Sequence, residues 1–288
     1  AYEIRPRDWS SDVCSSDLAV IGNPVQHSLS PAMHNAAFTA LGLDWVYVAL
    51  PVAEGRADTA LEAMRLFGIG GLSVTMPHKE QVAASVDRLD PAAAALRSVN
   101  TVVPSPDGDL VGHSTDGAGF VASLAAAGVG VAGMQVCLLG AGGAARAIAD
   151  ALGRAGAAEV VVVNRTASSA EATASLAAAA GSAARVGTAA DIAKAHIVVN
   201  ATSMGMGGNL LPCDPTLLHS GQVVADIVYH PRTTALLEAA AAAGARTVDG
   251  LGMLVHQAAL QQRLWHGLHA DIAVMTTAAE AELAARGK

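Results

Sequence analysis

The chain has 288 residues, of which 52% are hydrophobic, 15% charged and 3% aromatic, with a formal net charge of −8. That length accommodates one large or two ordinary domains with proper cores. The acidic balance and the scarcity of aromatic side chains argue against nucleic acid or an anionic membrane as a partner, and no run of about 18 strongly apolar residues could span a bilayer.

Cys14, Cys137 and Cys213 are too few and too scattered for a disulfide framework. Without a CxxC or HExxH pattern no metal site is expected, and a reducing compartment, the cytoplasm, is the expected location.

In chain order, residues 1–18 stand apart. "RDWSSDVCSSDL" (Arg7 to Leu18) is polar and serine-rich, without helical or strand periodicity. It reads like a translated sequencing adapter joined to a gene fragment, a non-native leader, with a disordered polar leader as the alternative; under either reading Cys14 carries no function, and "LAVIG" is the surviving first strand. From there apolar β-like runs alternate with helical patterns. In "SLSPAMHNAAFTALGL", Ser30 can cap and Pro31 can open a helix. "DWVYVAL" reads as a strand, "AEGRADTALEAMRLFG" as an amphipathic helix and "GGLSVTM" as a third strand. Pro77 suits the first turn of the helix after it. "VNTVVPSPDGDLVGHSTD" reads as a hairpin turning at Pro106-Asp107-Gly108.

A second alternating series begins near Met134, with the join between the two expected at residues 115–130. "MQVCLLG", "AEVVVVN", "AHIVVN" and "QVVADIV" are its strands. The alanine-rich stretch 170–185 is expected to be helix rather than linker. Strand–helix alternation at this spacing predicts an α/β fold of parallel sheets with helices on both faces.

"CLLGAGGAARA" fits G-x-G-x-x-G/A through Gly140, Gly142 and Ala145, directly after a predicted strand and opening a predicted helix. Glycines there permit a tight turn and let a pyrophosphate approach backbone N–H groups at the helix N-terminus. An NAD site usually carries a carboxylate at the end of the next strand, bonding the ribose hydroxyl. This chain has Asn164, Arg165 and Thr166 instead. Arg165 can pair with a 2′-phosphate and stack on adenine, which favours NADP.

Lys79, in "SVTMPHK", falls near the positive end of a predicted helix dipole, where a cation is disfavoured. A lysine whose charged form is disfavoured can exchange protons near neutrality, and it needs a carboxylate to orient it. Asp116, in "GHSTDGAGF", follows a strand and precedes a glycine turn. Ligand-facing carboxylate and helix N-cap are both open readings of it, and spacing alone does not bring residues 79 and 116 together.

The ordered set "GNPVQHSLSP", "SVTMPHK", "VNT", "STDGAG", "GAGGAARA", "NRT", "NATSMGM" and "DGLGMLVHQA" resembles shikimate dehydrogenases from about Ile21 to the last helix. The resemblance implies NADP-dependent interconversion of 3-dehydroshikimate and shikimate in aromatic amino-acid biosynthesis. It also implies a substrate domain of residues 19–115 and 251–288, a Rossmann-type domain of residues 116–250, and a cleft between them. The last helices would return to the first domain.

Carried over residue by residue, Ser28 and Ser30 would hold the substrate carboxylate, with Tyr229 beside it. Thr75, Asn100, Asp116 and Gln257 would bond the ring hydroxyls, and Lys79 with Asp116 would form the catalytic pair. Gly140, Ala141, Gly142, Gly143 and Ala144 would cradle the pyrophosphate, and Asn164, Arg165 and Thr166 the adenosine phosphate. Thr202, Ser203 and Met204 would lie along the dinucleotide, with Ile227 and Gly250 near the nicotinamide. The partners would be the small-molecule substrate and cofactor, with a monomer or homodimer as the working unit.

Three positions depart from the family pattern. Ser73 and Ser114 stand where asparagine is usual, which could shift preference toward quinate. Ser169 stands where a second arginine often follows "NRT", weakening discrimination of the 2′-phosphate. The alternatives are a quinate/shikimate dehydrogenase of broader range and a dinucleotide-sensing homologue without catalysis. The histidines at 78, 113, 230, 256, 266 and 269 form no ligand pattern and are read as structural or solvent-facing.

Overall fold

The structure, a computed structural model, describes residues 17–286. Most of the segment set aside as a leader, Cys14 included, lies outside the described residues. Leu18 does not, because it opens the first strand and is fully buried.

The first sheet is built by β1 (Leu18–Gly22), β2 (Tyr47–Pro51), β3 (Gly71–Val74), β4 (Arg88–Leu89), β5 (Thr101–Pro104) and β6 (Leu110–His113) in the order β2-β1-β3-β5-β6-β4. Its helices are α1 (Ser30–Leu41), α2 (Ala57–Phe67), α3 (Lys79–Ser85) and α4 (Pro91–Leu96). β1 runs parallel to β2 and β3, but β5 runs antiparallel to β3 and β6. The sheet is therefore mixed, not parallel as expected. The antiparallel β5–β6 pair is the expected hairpin, whose turn closes through Ser105 N–H to Asp109 O at 2.8 Å and reverses the chain.

α5 (Asp116–Ala126) leads into the second sheet, formed by β7 (Gln135–Leu139), β8 (Glu159–Val163), β9 (Ala183–Val186), β10 (Ile197–Asn200), β11 (Val223–Asp226) and β12 (Arg246–Val248). α6 (Gly143–Arg154), α7 (Ala167–Ala179) and α8 (Ala235–Ala242) connect these strands. All its pairings are parallel, in the order β12-β11-β10-β7-β8-β9. Counted from β7 this is the doubly wound order of dinucleotide-binding sheets, with its switch point between β7 and β10.

α9 (Gly250–His266) and α10 (Ile272–Arg286) carry the chain back to the first unit. Leu251, Val255 and Ala258 of α9 and Met275 and Ala279 of α10 form one core with Leu29, Met33 and Ala37 around α1. Removing a side chain the size of Met33 from water contributes roughly 1.5–3 kcal/mol, so this seam is a principal tie between the chain's two ends.

Three local readings are corrected. Pro77 does not open a helix. It lies after a cis Met76–Pro77 bond in a turn closed by His78 N–H to Thr75 O at 3.1 Å, and α3 begins at Lys79. Ser30 is the first residue of α1 rather than its cap; Leu29 holds the cap position, and Ser28 Oγ accepts the Ser30 N–H at 3.2 Å. The alanine-rich helix stops at Ala179, because Gly181 takes φ +113° and the chain then pairs with the open edge of β8 as β9.

One buried and one half-buried histidine make stability depend on pH. Burial lowers His34 to about 3 and His266 to about 4. Both values lie below the ordinary 6.5, so in the window between them the unfolded chain binds protons that the fold refuses. This contribution is complete above about pH 6.5 and falls as pH drops toward 4, by up to about 1.4 kcal/mol per unit for the buried His34 ring and by less for the partly exposed His266. Urea unfolding at stepped pH measures that slope, and His266→Gln is expected to reduce it.

Candidate active site

A cavity of about 320 Å³ opens where the C-terminal ends of β1 and β3 face the second unit. Ser28 and Ser30 reach it from the β1–α1 connection, Thr75 and Lys79 from the β3–α3 connection. Asn100 precedes β5, Asp116 starts α5, Tyr229 follows β11 and Gln257 belongs to α9; all four also line the cavity, as do Ile227 and Gly250. The structure thus brings together every residue predicted to touch substrate.

Lys79 and Asp116 meet. Lys79 Nζ donates to Asp116 Oδ2 at 2.6 Å, with side chains 28% and 17% exposed. Asp116 is the first residue of α5 and its carboxylate makes no cap bond, which separates the two readings its sequence context left open. A carboxylate is favoured at a helix N-terminus and an ammonium is not, so the pair offsets the disfavoured placement of Lys79 on the first residue of α3. Asn100 Nδ2 donates to the other carboxylate oxygen, Oδ1, at 2.7 Å. The Asn100 amide cannot be turned around, because its Oδ1 accepts the Thr115 N–H at 2.8 Å. Both oxygens of Asp116 are therefore held, and Lys79 Nζ sits at the cavity wall, where the ammonium can give a proton and the amine take one.

Burial pushes the Tyr229 phenol up, which keeps it a neutral hydroxyl donor. Gln257 donates through Nε2 to Leu254 O at 2.9 Å, so its Oε1 is the end turned toward Thr115, at 3.5 Å. Of the departures from the family pattern, Ser73 lines the cavity with its hydroxyl engaged by Tyr47 and Gln261. Ser114 is not among the lining residues. Ser73 therefore presents no free hydroxyl for the extra oxygen of a quinate-like ring.

The predicted dinucleotide residues gather at the switch point beside this cavity. Gly140 follows β7 with φ +109°, and a Cβ there would press on Thr202 Cγ2 at 2.8 Å and Ala201 O at 3.0 Å. Gly142 and Gly143, by contrast, would meet nothing within 4 Å. Among the described residues nothing fills the space over them, and no side chain caps the N-terminus of α6. First-turn N–H groups lack intrahelical partners, so this open cradle fits a pyrophosphate.

Asn164, Arg165 and Thr166 follow β8, with Arg165 and Thr166 exposed and no carboxylate beside them in the chain. Ser169 lies one turn further on, within α7. Thr202, Ser203 and Met204 follow β10 across the crevice. Thr202 Oγ1 donates to Asn200 Oδ1 at 2.7 Å and accepts the Met204 N–H at 3.1 Å, which folds this loop over the sheet edge.

The sequence reading missed the residues that hold these loops. Asn200 and Asp226 are register partners at the ends of β10 and β11, and Asn200 Nδ2 donates to Asp226 Oδ1 at 2.9 Å. Asp226 also accepts the Val228 N–H and the Thr234 hydroxyl, fixing the turn that carries Tyr229. Burial raises its carboxyl. The available signal was a polar residue closing each of two apolar strands, "IVVN" and "VVAD".

A doubly wound sheet with an open glycine cradle at its switch point, beside a lysine–carboxylate pair in a cleft, defines a dinucleotide-binding protein equipped for proton transfer. Family comparison gives the particular group. Residues 20–102 match the shikimate dehydrogenase substrate binding domain, residues 123–206 the shikimate / quinate 5-dehydrogenase family, and residues 250–280 the shikimate 5′-dehydrogenase C-terminal domain. A shikimate dehydrogenase (NADP(+)) of Rubrobacter xylanophilus is 44% identical over 93% of this chain and 96% of its own. Shikimate 5-dehydrogenase of Thermus thermophilus, solved with NADP(H) and shikimate, superposes with a TM-score of 0.86 at 37% identity, covering 92% of this chain and 99% of that one. Quinate dehydrogenase of Corynebacterium glutamicum, solved with NAD, gives 0.87 at 35%, covering 93% and 99%. This chain belongs to the shikimate dehydrogenase family.

Proposed function

We propose that the protein interconverts 3-dehydroshikimate and shikimate with NADP(H), a step of aromatic amino-acid biosynthesis. The observation that carries the reading is the Lys79–Asp116 pair at 2.6 Å in a cavity opening beside the glycine cradle. Residues 19–115 and 251–288 hold the substrate, and residues 116–250 hold the dinucleotide. Bound NADP supplies hydride acceptance, and its reduced form hydride donation.

The chain's own residues bind, orient and move the proton. Ser28 and Ser30 donate hydroxyls to the substrate carboxylate without bringing a charge of their own, and Tyr229 closes that side. Thr75, Asn100 and Gln257 hold the ring hydroxyls. As the carbinol carbon loses hydride, its hydroxyl proton passes to the neutral amine of Lys79, which becomes the ammonium and then releases a proton to solvent; in the reverse reaction the ammonium gives its proton to the carbonyl oxygen. Asp116 keeps the ammonium in line with that hydroxyl.

Gly140 to Ala144 receive the pyrophosphate, and Asn164, Arg165 and Thr166 the 2′-phosphate. Thr202, Ser203 and Met204 run along the dinucleotide, with Ile227 and Gly250 at the nicotinamide end. The reading includes a cytoplasmic place of action and a monomer or homodimer as the working unit.

Initial rates of reduced-cofactor formation, crossing shikimate and quinate with NADP and NAD, test it. Shikimate with NADP is expected to be the most efficient combination. Arg165→Ala is expected to raise KM for NADP about tenfold, since a charge-assisted bond is worth roughly 1.5–3 kcal/mol, and to leave KM for NAD nearly unchanged. Quinate with NAD turned over at equal efficiency would overturn the proposal.

A further inference from the structure

Behind the catalytic pair runs a buried line of hydrogen bonds whose donors all point one way. The Tyr47 hydroxyl donates to Ser73 Oγ at 2.6 Å, and Ser73 donates to Gln261 Oε1 at 2.9 Å. Gln261 Nε2 donates to Thr101 Oγ1 at 3.0 Å, and Thr101 donates to Asn100 Oδ1 at 2.9 Å. Asn100 Nδ2 then donates to Asp116 Oδ1 at 2.7 Å. Tyr47, Ser73, Gln261, Thr101 and Asn100 are each no more than 6% exposed.

Two fixed backbone groups force this direction. The Asn100 carbonyl accepts from Gln261 Nε2 at 3.2 Å, so the Gln261 oxygen must face Ser73. That oxygen can only accept, so Ser73 spends its proton on it and must accept from Tyr47. At the other end, the Thr115 N–H fixes the Asn100 oxygen, which leaves the Asn100 nitrogen toward Asp116. The phenol cannot wander, since Asn35 clamps the Tyr47 backbone through its side-chain amide at 2.8 and 2.9 Å. Burial also pushes the Tyr47 phenol well above its ordinary value, so it remains a donor.

We propose that Tyr47, Ser73 and Gln261 are positioning residues that hold and polarise Asn100 against the Asp116 carboxylate. Bonds aligned head to tail strengthen one another, so removing the first donor weakens the grip at the last, where the substrate hydroxyl reacts. The inference rests on the proposed function, because its readout is turnover. It also gives the serine at position 73 a task. A hydroxyl there can accept from Tyr47 and donate to Gln261 in a space one side chain deep.

The test is a double-mutant cycle on Tyr47→Phe and Ser73→Ala, read as kcat for shikimate oxidation beside KM for NADP. Each single variant is expected to lower kcat roughly three- to tenfold with KM for NADP unchanged. The double variant is expected to lose no more than the worse single, and Ser73→Thr, which keeps the hydroxyl, to retain most of kcat. Should a tyrosine or serine variant not fold, Gln261→Met breaks the same line at its centre and is read in the same way.

Single variants with kcat within twofold of the unmodified enzyme, whatever their melting temperature, would overturn the inference. So would losses that multiply in the double variant. No shikimate turnover by the unmodified enzyme would instead overturn the function and carry the inference with it.

Discussion

Lys79→Ala is expected to lower kcat for shikimate oxidation by roughly 10²–10⁴, the range for losing a positioned proton-transfer group, while NADP affinity stays within about twofold of wild type. The expectation follows from where Lys79 stands. Its Nζ lies 2.6 Å from Asp116 on the cavity wall, whereas the glycine cradle belongs to another sheet. Truncation removes the ammonium and leaves Asp116 held by Asn100 alone. Stopped-flow rates at saturating substrate, set beside an NADP titration, separate the two effects. An unchanged kcat would end the acid–base role of Lys79. Lost NADP binding would show that the variant had disturbed more than the chemistry.

The second large effect is expected in stability. Gly117 lies where α5 packs on α6, and a Cβ there would come to 2.1 Å from Ala147 O and 2.8 Å from Ala151 Cβ. Backbone cannot swing away as a side chain can, so the helices must separate. Gly117→Ala is expected to cost about 3 kcal/mol, at the upper end of overpacking losses, and to lower Tm by several degrees. Because Asp116 precedes Gly117, shikimate turnover is expected to fall with it. Gly130 provides the control: a Cβ there meets nothing within 4 Å, and Gly130→Ala is expected to change stability by no more than about 0.5 kcal/mol. Equal melting temperatures for the two variants would show that the α5–α6 contact yields more easily than this packing implies.

Some parts of this molecule are legible in a single sequence because their physics is local. "CLLGAGGAARA" specifies strand, turn and helix within eleven letters, and Arg165 follows one strand later. The substrate residues were legible only through the ordered motifs. Asn100 and Gln257 are ordinary letters until folding places them in one cavity. The buried line from Tyr47 was not legible at all, since Ser73 and Gln261 meet across 188 positions and neither has local periodicity to declare it. The β5–β6 hairpin was legible from its turn, but the pairing of β5 with β3 and the edge strand β9 escaped for a related reason. Each is decided by which strand edge stands open to receive it, a property of the sheet and not of the segment.

The path of the chain also bears on how the protein is made. α5 through β12 form one continuous stretch with its own cores, whereas the first sheet meets α9 and α10 only at the far end of the sequence. Translation delivers segments in order, and domains generally fold as units while it proceeds. A chain still on the ribosome therefore completes its nucleotide half before the cavity gains Gln257 and Gln261. α9, which follows β12 in the chain, then supplies the missing wall, so the second sheet is complete before the substrate cavity is.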